Sequence, residues 1–424
     1  STDDGVTWET ITPPGGDPAR IELAVAPSQS ASTGATRIYA VAELRVGSNT
    51  TTDIAWFQRS DDGGESWVDL DVPEYREQNC TANGRDFTRG QSFYDLIIAV
   101  KPDDADVLTM GGINVLRSVD AGINMEEVSY WTGDDNNKTC DDYVHADQHE
   151  AVFRPGFPNE IILGHDGGVS YSSNFGSSST PLFDTRVRNY RVTQFYAVSA
   201  DNIEGSNYFL AGSQDNGTQQ FTTVGGSSTD EATGGDGGFT HIDQTDRNFQ
   251  TTAFTGNTVN HSSNGGSSFS GLSTLGGGLF INPSDLDDES HILYSAGDNN
   301  ELHRIRNINT SAPSAQDVVD VPVGQISRVN ANAFESNRLF VGSVTGNVFR
   351  VNDADTDTPE VVNISAGITT AGFVSSIDIG STDDQLIVTL SNFGIPSVWL
   401  TLDGGDTWIN KDEVDHGLPD IPVR

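Results

Sequence analysis

The sequence predicts an all-β fold, a β-propeller of roughly seven to ten four-stranded blades. Three observations predict it. The first is composition: 35% of the 424 residues are hydrophobic and 45 are glycine, which suits short strands with many turns better than one large core. The second is a short motif that recurs along the chain, and the third is the spacing of the segments around it. A stacked β-solenoid is the alternative, but it would need shorter repeats.

The recurring motif has the form Ser-x-Asp-x-Gly-x-Thr-Trp. Good copies begin at Ser1, Ser60 and Thr401, and weaker copies begin at Ser118, Ser172 and Ser262. In such a hairpin turn the Asp side chain accepts hydrogen bonds from nearby amides, Gly supplies the positive φ, and Thr and Trp begin the returning strand. Because the motif recurs while chemistry needs a single site, we interpret its aspartates as structural.

A longer unit surrounds the motif: a β-rich segment, a turn rich in Pro, Asp or Asn, a second β-rich segment, and then the motif. About eight such units follow one another at a spacing of roughly 40 to 50 residues, which is typical of four-stranded propeller blades. Both termini fall inside a unit. We therefore expect residues 1–424 to be a single propeller fragment whose flanking sequence is missing.

The charge balance excludes some partners. The chain has 61 acidic and 22 basic residues, a formal net charge of −39, and a surface of this sign repels nucleic acid and anionic membranes. Calcium or another divalent metal is the natural counterpart, and nothing indicates an organic cofactor. Only Lys101, Lys138 and Lys411 are lysines, and the other basic residues are arginines. This bias is typical of a protein from a marine or saline organism, although a merely acidic secreted protein is the alternative.

The two cysteines, Cys80 and Cys140, lie in polar segments without Cys or His at metal-ligand spacing. We predict a disulfide between them, which would close a loop of about 60 residues and contribute ~4 kcal/mol in the chain-entropy model. A disulfide implies an oxidising compartment, so we expect an extracellular or cell-surface location. No apolar run approaches the ~20 residues that span a bilayer.

Three segments carry more functional residue types than turns require. They contain His145, Asp147, His149 and Asp166; Gln194, Tyr196, Gln214, Asp215 and Asn216; and Asp236 and His241. In a propeller the innermost strands begin around a central channel, so these residues could form one polar ligand-binding cluster.

The first of these segments suggests transition-metal chemistry. His145, Asp147 and His149 alternate, so on a strand they would face one side and could bind a transition metal. Hydrogen bonding between adjacent loops is the alternative.

The three aspartates beside glycines, Asp166, Asp215 and Asp236, suggest a second kind of site. Glycine lets the backbone approach a ligand closely, so these carboxylates could bind calcium, or two of them could act as general acid and base. Simple turn formation by Asp-Gly and Asn-Gly is the alternative.

Taken in order, the motifs His-x-Asp-x-His, Asp-Gly-Gly-Val, Gln-Phe-Tyr, Gln-Asp-Asn-Gly and Gly-Asp-Gly-Gly resemble a known family. They are similar to the Asp-box (BNR-like) repeat proteins often labelled sortilin-like or glycosyl-hydrolase-like, which are large secreted or surface proteins common in Bacteroidota. The closing segment VWLTLDGGDTW with GLPDIPV resembles the same family. The resemblance covers nearly the whole chain and implies a propeller, with peptide binding of the sortilin kind as one possible activity.

The sequence leaves two function classes open. We favour a secreted or cell-surface module that binds a polysaccharide or a surface protein, joined to flanking domains. The alternative rests on resemblance: the stretch from Asp236 to His241 and the Asp-Gly-Gly at Asp166 are similar to catalytic loops of the xyloglucan-hydrolysing double propellers. That likeness implies an inverting glycoside hydrolase with Asp236 as acid and Asp166 as base, although in that family the two aspartates lie in separate propellers.

Overall fold

A computed structural model describes residues 5–7, 18–29, 34–44, 54–76, 81–131, 142–187, 190, 192–226, 228–313, 315–368, 370–412, 418–419 and 421–423. The chain divides into two compact units, unit 1 from Ser1 to Arg191 and unit 2 from Val192 to Arg424. Regular structure in the described residues is β, apart from a short 3₁₀ helix at Val224–Gly226. That a single propeller spans 1–424 stays a prediction.

Unit 1 contains three four-stranded sheets and two two-stranded ones. The four-stranded sheets are β1 to β4, β7 to β10 and β13 to β16, and the small ones are β5 with β6 and β11 with β12. The strands are β1 Pro18–Gln29, β2 Thr36–Leu44, β3 Ile54–Ser60, β4 Val68–Leu70, β5 Glu74–Arg76, β6 Ala82–Asp86, β7 Ile97–Val100, β8 Leu108–Gly111, β9 Val115–Ser118, β10 Glu126–Glu127, β11 Ser129–Tyr130, β12 Asp142–Tyr143, β13 Gln148–Arg154, β14 Phe157–His165, β15 Gly168–Ser172 and β16 Asp184–Thr185.

Unit 2 contains five four-stranded sheets, formed by β17 to β20, β21 to β24, β25 to β28, β29 to β32 and β33 to β36. The strands are β17 Ala197–Ala200, β18 Phe209–Gly212, β19 Thr218–Phe221, β20 Thr229–Thr233, β21 Thr240–Ile242, β22 Gln250–Phe254, β23 Thr258–Ser262, β24 Ser270–Thr274, β25 Ser284–Asp287, β26 Ile292–Ala296, β27 Glu301–Arg306, β28 Ala315–Asp320, β29 Ile326–Ala331, β30 Leu339–Ser343, β31 Val348–Asn352, β32 Glu360–Asn363, β33 Val374–Ile379, β34 Leu386–Leu390, β35 Val398–Thr401 and β36 Ile409–Asn410.

Each four-stranded sheet is an antiparallel meander in which consecutive strands pair. Within a unit the first strands of successive sheets lie side by side, β1 beside β7 and β7 beside β13, and likewise β17 beside β21, β25 beside β29 and β29 beside β33. Such meanders are the blades of a β-propeller. The predicted all-β propeller class is therefore confirmed, and the β-solenoid alternative is wrong because the strands run antiparallel within each four-stranded sheet. The number of blades in a closed ring stays a prediction.

The core lies between successive sheets. In unit 2, one cluster joins Tyr294 of the third sheet to Val341 of the fourth, and another joins Phe340 of the fourth sheet to Val388 of the fifth. The second strand of the fourth sheet, β30, is therefore packed on both faces, and all five of its residues are buried. The sequence reflects this packing, since a strand covered on both sides is apolar without alternation.

Arginines reach from one sheet to the next. In unit 1 the Arg37 guanidinium donates to the Ala105 carbonyl at 3.3 Å, and the Arg117 guanidinium donates to the Phe175 carbonyl at 2.8 Å. In unit 2 Arg304 is 1% exposed and donates to the Ala354 carbonyl at 3.1 Å. Each acceptor lies in a turn of the following sheet, so these side chains join neighbouring sheets. We call them the bridging arginines, and Arg338, paired with Asp383 at 2.6 Å, is a fourth.

The repeated motif forms the same turn between the third and fourth strands of several sheets. Ser60 Oγ accepts from the Gly64 amide at 2.8 Å, and Asp62 Oδ1 accepts from the Ser66 amide at 2.8 Å. Corresponding bonds occur in the turns that begin at Ser118, Ser262 and Thr401. The hydrogen bonds to Ser66 and Ser60 lower the pKa of Asp62 to about 2. The aspartates of this motif, and Asn264 in the turn that begins at Ser262, are thus engaged within their turns.

Two predictions concern features away from these sheets. Cys80 and Cys140 lie outside the described residues, so their disulfide stays a prediction. In the described part of the chain, no helix has the length and apolar character needed to cross a membrane.

Candidate functional site

Four residues singled out in the sequence come together in unit 1. His149 at the start of β13 and Asp166 in the turn between β14 and β15 are joined by a contact of 2.5 Å between Nε2 and Oδ1. The Tyr94 hydroxyl lies 2.9 and 3.0 Å from the two Asp166 carboxylate oxygens and donates to them. His145 and Asp147 lie in the segment just before β13. We call these five residues the His–Asp cluster.

The expected alternation of the three residues on one strand is wrong. β13 begins at Gln148, and Asp147 adopts a left-handed conformation with φ of 64°. His145 stacks instead on the ring of His165, with centroids 5.8 Å apart, while Asp147 accepts from the Gln91 side chain at 3.3 Å. The left-handed residue turns the chain into the strand and directs the side chains to different partners.

The His–Asp cluster does not fit a shared metal ion. Across the residues that the structure describes, no group of three or more His, Cys, Asp or Glu is arranged to hold one. The predicted transition-metal role of His145, Asp147 and His149 therefore has no geometric support, and the hydrogen-bonded alternative fits their contacts. The calcium role of Asp166, Asp215 and Asp236 stays a prediction.

Burial shifts the pKa of Asp147 in the His–Asp cluster and that of the neighbouring His165. The pKa of His165 is lowered to about 4, chiefly by burial and secondly by the neighbouring His145. The pKa of Asp147 is raised by burial and by repulsion from Asp166. At neutral pH His165 is uncharged and is held by Ser170 Oγ, 2.8 Å from Nε2. The carboxylate of Asp166 has two hydrogen-bonding partners, the Tyr94 hydroxyl and the His149 ring.

Two glycine-rich loops of unit 2 contact each other. The Gly237 amide donates to the Ser213 carbonyl at 2.8 Å, and the Asp215 amide donates to Asp236 Oδ1 at 2.9 Å. A Cβ atom on Gly237 would lie 2.2 Å from the Gly217 carbonyl oxygen. We expected these glycines to bring the backbone close to a ligand, but they bring the two loops close to one another. Asp236 therefore serves as an acceptor for the neighbouring loop.

The remaining predicted residues of unit 2 lie around the same loops. The Tyr196 hydroxyl donates to Oε1 of Gln214, and the Asn216 side chain donates to the Gln214 carbonyl at 3.1 Å. Gln194 is exposed in the segment before β17. Tyr196 is 40% exposed and also lines the cavity described next, which links the loop network to a concave surface.

A cavity of about 410 Å³ lies along the first strands of four successive sheets of unit 2. β17 contributes Val198 and Ser199, β21 contributes Thr240 and His241, β25 contributes Ser284 and Asp285, β29 contributes Arg328, and Phe239, Gln244 and Asp288 flank these strands. We call it the Arg328 cavity. Its volume falls in the range of small-molecule sites, and its position is where propeller ligands meet groups from several blades.

Burial shifts the pKa values of the ionisable groups in the Arg328 cavity away from their ordinary values. Burial raises the pKa of Asp285 and that of Asp288 to about 6 each. The pKa of His241 falls to about 3, mainly through burial and also through the positive charge of Arg328. His241 is therefore neutral at physiological pH, with Nε2 3.0 Å from Ser284 Oγ. Burial likewise lowers the pKa of Arg328.

Sequence reasoning missed most of this cavity. It identified His241 and Tyr196 but not Asp285, Asp288 or Arg328. A usable signal existed, because Ser284, Asp285 and Arg328 lie on the first strands of their repeat units, as Thr240 and His241 do on theirs, and Asp288 directly follows such a strand. Alignment of the units strand by strand would have brought these positions together.

The protonation of His241 predicts a pH dependence of stability. Its pKa near 3 in the folded state is below the unfolded value of about 6.5, so the unfolded chain binds the proton first as pH falls. Folding stability is therefore lost progressively from about pH 6.5 down to about pH 3, and His241 alone accounts for about 2 kcal/mol at about pH 5. Because glutamine cannot take up this proton, His241→Gln should gain about that much relative to wild type between about pH 7.5 and about pH 5.

Urea unfolding of both proteins at the two pH values measures this difference. Comparison of the two pH values within each protein cancels any pH-independent effect of the substitution. An identical pH dependence in both proteins would show that His241 is protonated equally in the folded and unfolded states.

No protein-family model matches the chain, and no curated protein sequence matches it. Among solved structures, it resembles a GH74 xyloglucanase from Xanthomonas campestris at 14% identity and a TM-score of 0.41, covering 98% of this chain and 65% of that one. It also resembles a GH74 enzyme from Niastella koreensis at 14% identity and a TM-score of 0.26, covering 92% and 65%. For YCF48 from Cyanidioschyzon merolae the identity is 14%, the TM-score 0.38 and the coverage 74% and 97%. The chain thus spans 65% of the length of each GH74 structure.

Proposed function

We propose that the chain is an extracellular or cell-surface propeller module that binds polysaccharide through the Arg328 cavity. The observation that carries the proposal is the cavity itself, which is formed by the first strands of four successive sheets. The polar residues Ser199, Thr240 and Gln244 are among those that line it, and polar walls of this kind match the hydroxyl groups of a sugar. The Asp-box family resemblance agrees with a secreted or surface location.

Binding is favoured over hydrolysis by the state of the two predicted catalytic aspartates. Asp166 contacts His149 and Tyr94, and Asp236 holds the amide of Asp215. A general acid or base must be within reach of substrate and keep a free position for the proton. Both oxygens of Asp166 and one oxygen of Asp236 already form contacts within their own unit, as expected of residues that stabilise loops.

Blocking the Arg328 cavity tests this proposal. Val198 lines the cavity and is 65% exposed, so Val198→Trp should fill the space without disturbing the core. Val318, 49% exposed on the outermost strand of its sheet, provides the matched control Val318→Trp. We expect wild type and Val318→Trp to bind the same polysaccharides on a glycan array and in affinity electrophoresis. Val198→Trp should lose that binding, and unimpaired binding would place the site elsewhere.

The alternative function is inverting glycoside hydrolysis with Asp236 as acid and Asp166 as base. It is tested by a polysaccharide turnover screen of wild type and Asp236→Asn. Asparagine keeps an oxygen acceptor for the Asp215 amide, so the variant should fold. Turnover by wild type that vanishes in Asp236→Asn would establish hydrolysis, whereas equal turnover in both would remove Asp236 as the acid.

A further inference from the structure

We infer that the Arg328 cavity binds the carboxylate of an acidic sugar residue, with the Arg328 guanidinium as its anchor; the inference rests on the proposed function and specifies its ligand class. Three features of the cavity support it: an arginine that forms no ion pair with any described residue, neighbouring carboxylates that are engaged elsewhere, and an aromatic ring that holds the guanidinium in place.

Arg328 differs from the bridging arginines in its partners. Arg304 lies 2.5 Å from Asp317, and Arg338 lies 2.6 Å from Asp383. Arg328, by contrast, forms no ion pair in the part of the chain that the structure describes, and its Nε is buried without a hydrogen-bond partner there. A buried donor left unsatisfied costs about 1 to 3 kcal/mol, and more when it is charged. A ligand that supplies an acceptor would remove that cost.

The carboxylates whose charges act on Arg328 are Asp285 and Asp378. Neither is ion-paired with it among the described residues, and Asp378 accepts from the Ile379 amide at 3.1 Å. Asp285 accepts from the Ala331 amide at 2.8 Å and from the Leu286 amide at 3.0 Å. Asp288 accepts from the Gln244 amide at 2.9 Å. Asp285 favours the charged form of Arg328 from a distance without pairing with it. The donors of Arg328 therefore remain for a molecule that enters the cavity.

The ring of Phe239 positions the guanidinium. The Arg328 Cζ atom lies 5.2 Å from the ring centroid, within the range of a cation–π contact. A guanidinium held in this way presents a planar pair of N–H groups, which matches the two oxygens of a carboxylate. The polar residues Ser199 and Thr240, whose hydroxyl groups bond to each other at 3.0 Å, also line the cavity. Polar walls suit the remainder of a sugar better than an apolar peptide side chain.

The net charge of −39 does not prevent such binding. Distant charges are screened within about 8 Å at physiological ionic strength, and more strongly in saline water. Within the cavity, Asp285 and Asp288 lose their charges near pH 6. The charges that act directly on Arg328 are those of Asp285 and Asp378, and the rest of the surface charge is more distant and more strongly screened.

Calorimetric titration with trigalacturonate, its methyl ester, a neutral galactose trimer and trialanine tests the inference. The methyl ester keeps the shape of the acid and removes its charge. We expect trigalacturonate to bind about 10- to 100-fold more tightly than its ester, as for a charge-assisted pair. Arg328→Gln should abolish that preference, and Arg328→Lys should restore only part of it because lysine lacks the planar fork.

Arg350 provides the matched control. It lies on β31 of the same sheet, its Nε is likewise buried without a partner among the described residues, and it does not line the cavity. Arg350→Gln should keep the preference for the acid. Circular dichroism and melting curves identify a variant that fails to fold, in which case Arg328→Lys carries the test.

The outcomes separate the two proposals. Equal affinity of acid and ester, or an unchanged preference in Arg328→Gln, overturns the carboxylate inference while leaving polysaccharide binding intact. Tighter binding of trialanine than of trigalacturonate overturns the sugar class. If no glycan on the array binds, and if trigalacturonate, its methyl ester and the galactose trimer all fail to bind, the proposed function itself fails.

Discussion

Gly237→Ala is expected to lower the free energy of unfolding by about 3 kcal/mol. The new Cβ would lie 2.2 Å from the Gly217 carbonyl oxygen and 2.8 Å from the Gly212 Cα. These are backbone atoms that cannot rotate away, so the two loops must separate. Their separation weakens the bonds from Gly237 to Ser213 and from Asp215 to Asp236. Urea unfolding followed by tryptophan fluorescence measures the loss.

Gly271→Ala is the matched control for that experiment. A Cβ atom there would have its nearest neighbour, Asn260 Oδ1, at 3.9 Å, and its φ lies outside the left-handed region. Its stability should stay within about 0.5 kcal/mol of wild type. A Gly237→Ala protein as stable as this control would mean that the two loops are not packed as described. The glycines would then again be candidates for close contact with a ligand.

Arg304→Met is expected to lower the free energy of unfolding by a similar amount, about 3 kcal/mol. The side chain is 1% exposed, contacts Asp317 at 2.5 Å, and donates to the carbonyls of Ala354 and Thr356 at 3.1 and 2.6 Å. Methionine fills most of the volume but leaves the buried Ala354 carbonyl without this donor. The loss should appear as a lower urea midpoint with an unchanged slope.

An exposed arginine provides the control for this second prediction, because it shows whether the loss of stability comes from burial or from removal of the charge alone. Arg186 pairs with Asp184 at 2.9 Å, with 42% and 70% of the two side chains exposed. Exposed pairs contribute about 0 to 1 kcal/mol, so Arg186→Met should unfold almost as wild type does. If both substitutions had equally small effects on the free energy of unfolding, the contacts of Arg304 between the two sheets would not contribute to stability.

Local patterns made the fold predictable. The pattern of β-forming residues and the residue types of turns both act over a few positions. The strands and the turn beginning at Ser60 could therefore be predicted from their own segments. The eight repeat units of the sequence correspond to the eight four-stranded sheets of the described residues. Asp62 and its counterpart Asp403 show why this works: every partner of their carboxylates lies within four positions.

The candidate site could be predicted only in part, because its contacts join distant positions. Asp166 was chosen for its glycines, yet the Tyr94 hydroxyl that occupies it comes from 72 positions away. The alternation from His145 to His149 failed because Asp147 has a left-handed φ, which its own residue type permits but does not require. Arg328 carries no local motif at all. Its proposed role rests on the lack of an ion pair with any residue that the structure describes, which is a property of the folded chain and not of a local segment.

The bridging arginines offer a second explanation for the scarcity of lysine. Arg304 contacts a carboxylate and two carbonyls at once, which a planar guanidinium can do and a compact ammonium does poorly. Where each sheet is bonded to the next, its stability depends on its neighbour, as in a one-dimensional chain of coupled repeats. Within each unit, loss of one sheet would therefore spread to the adjoining one. On this explanation, arginine is preferred over lysine because it bonds neighbouring sheets to each other within each unit, and the preference does not depend on the salinity of the surroundings.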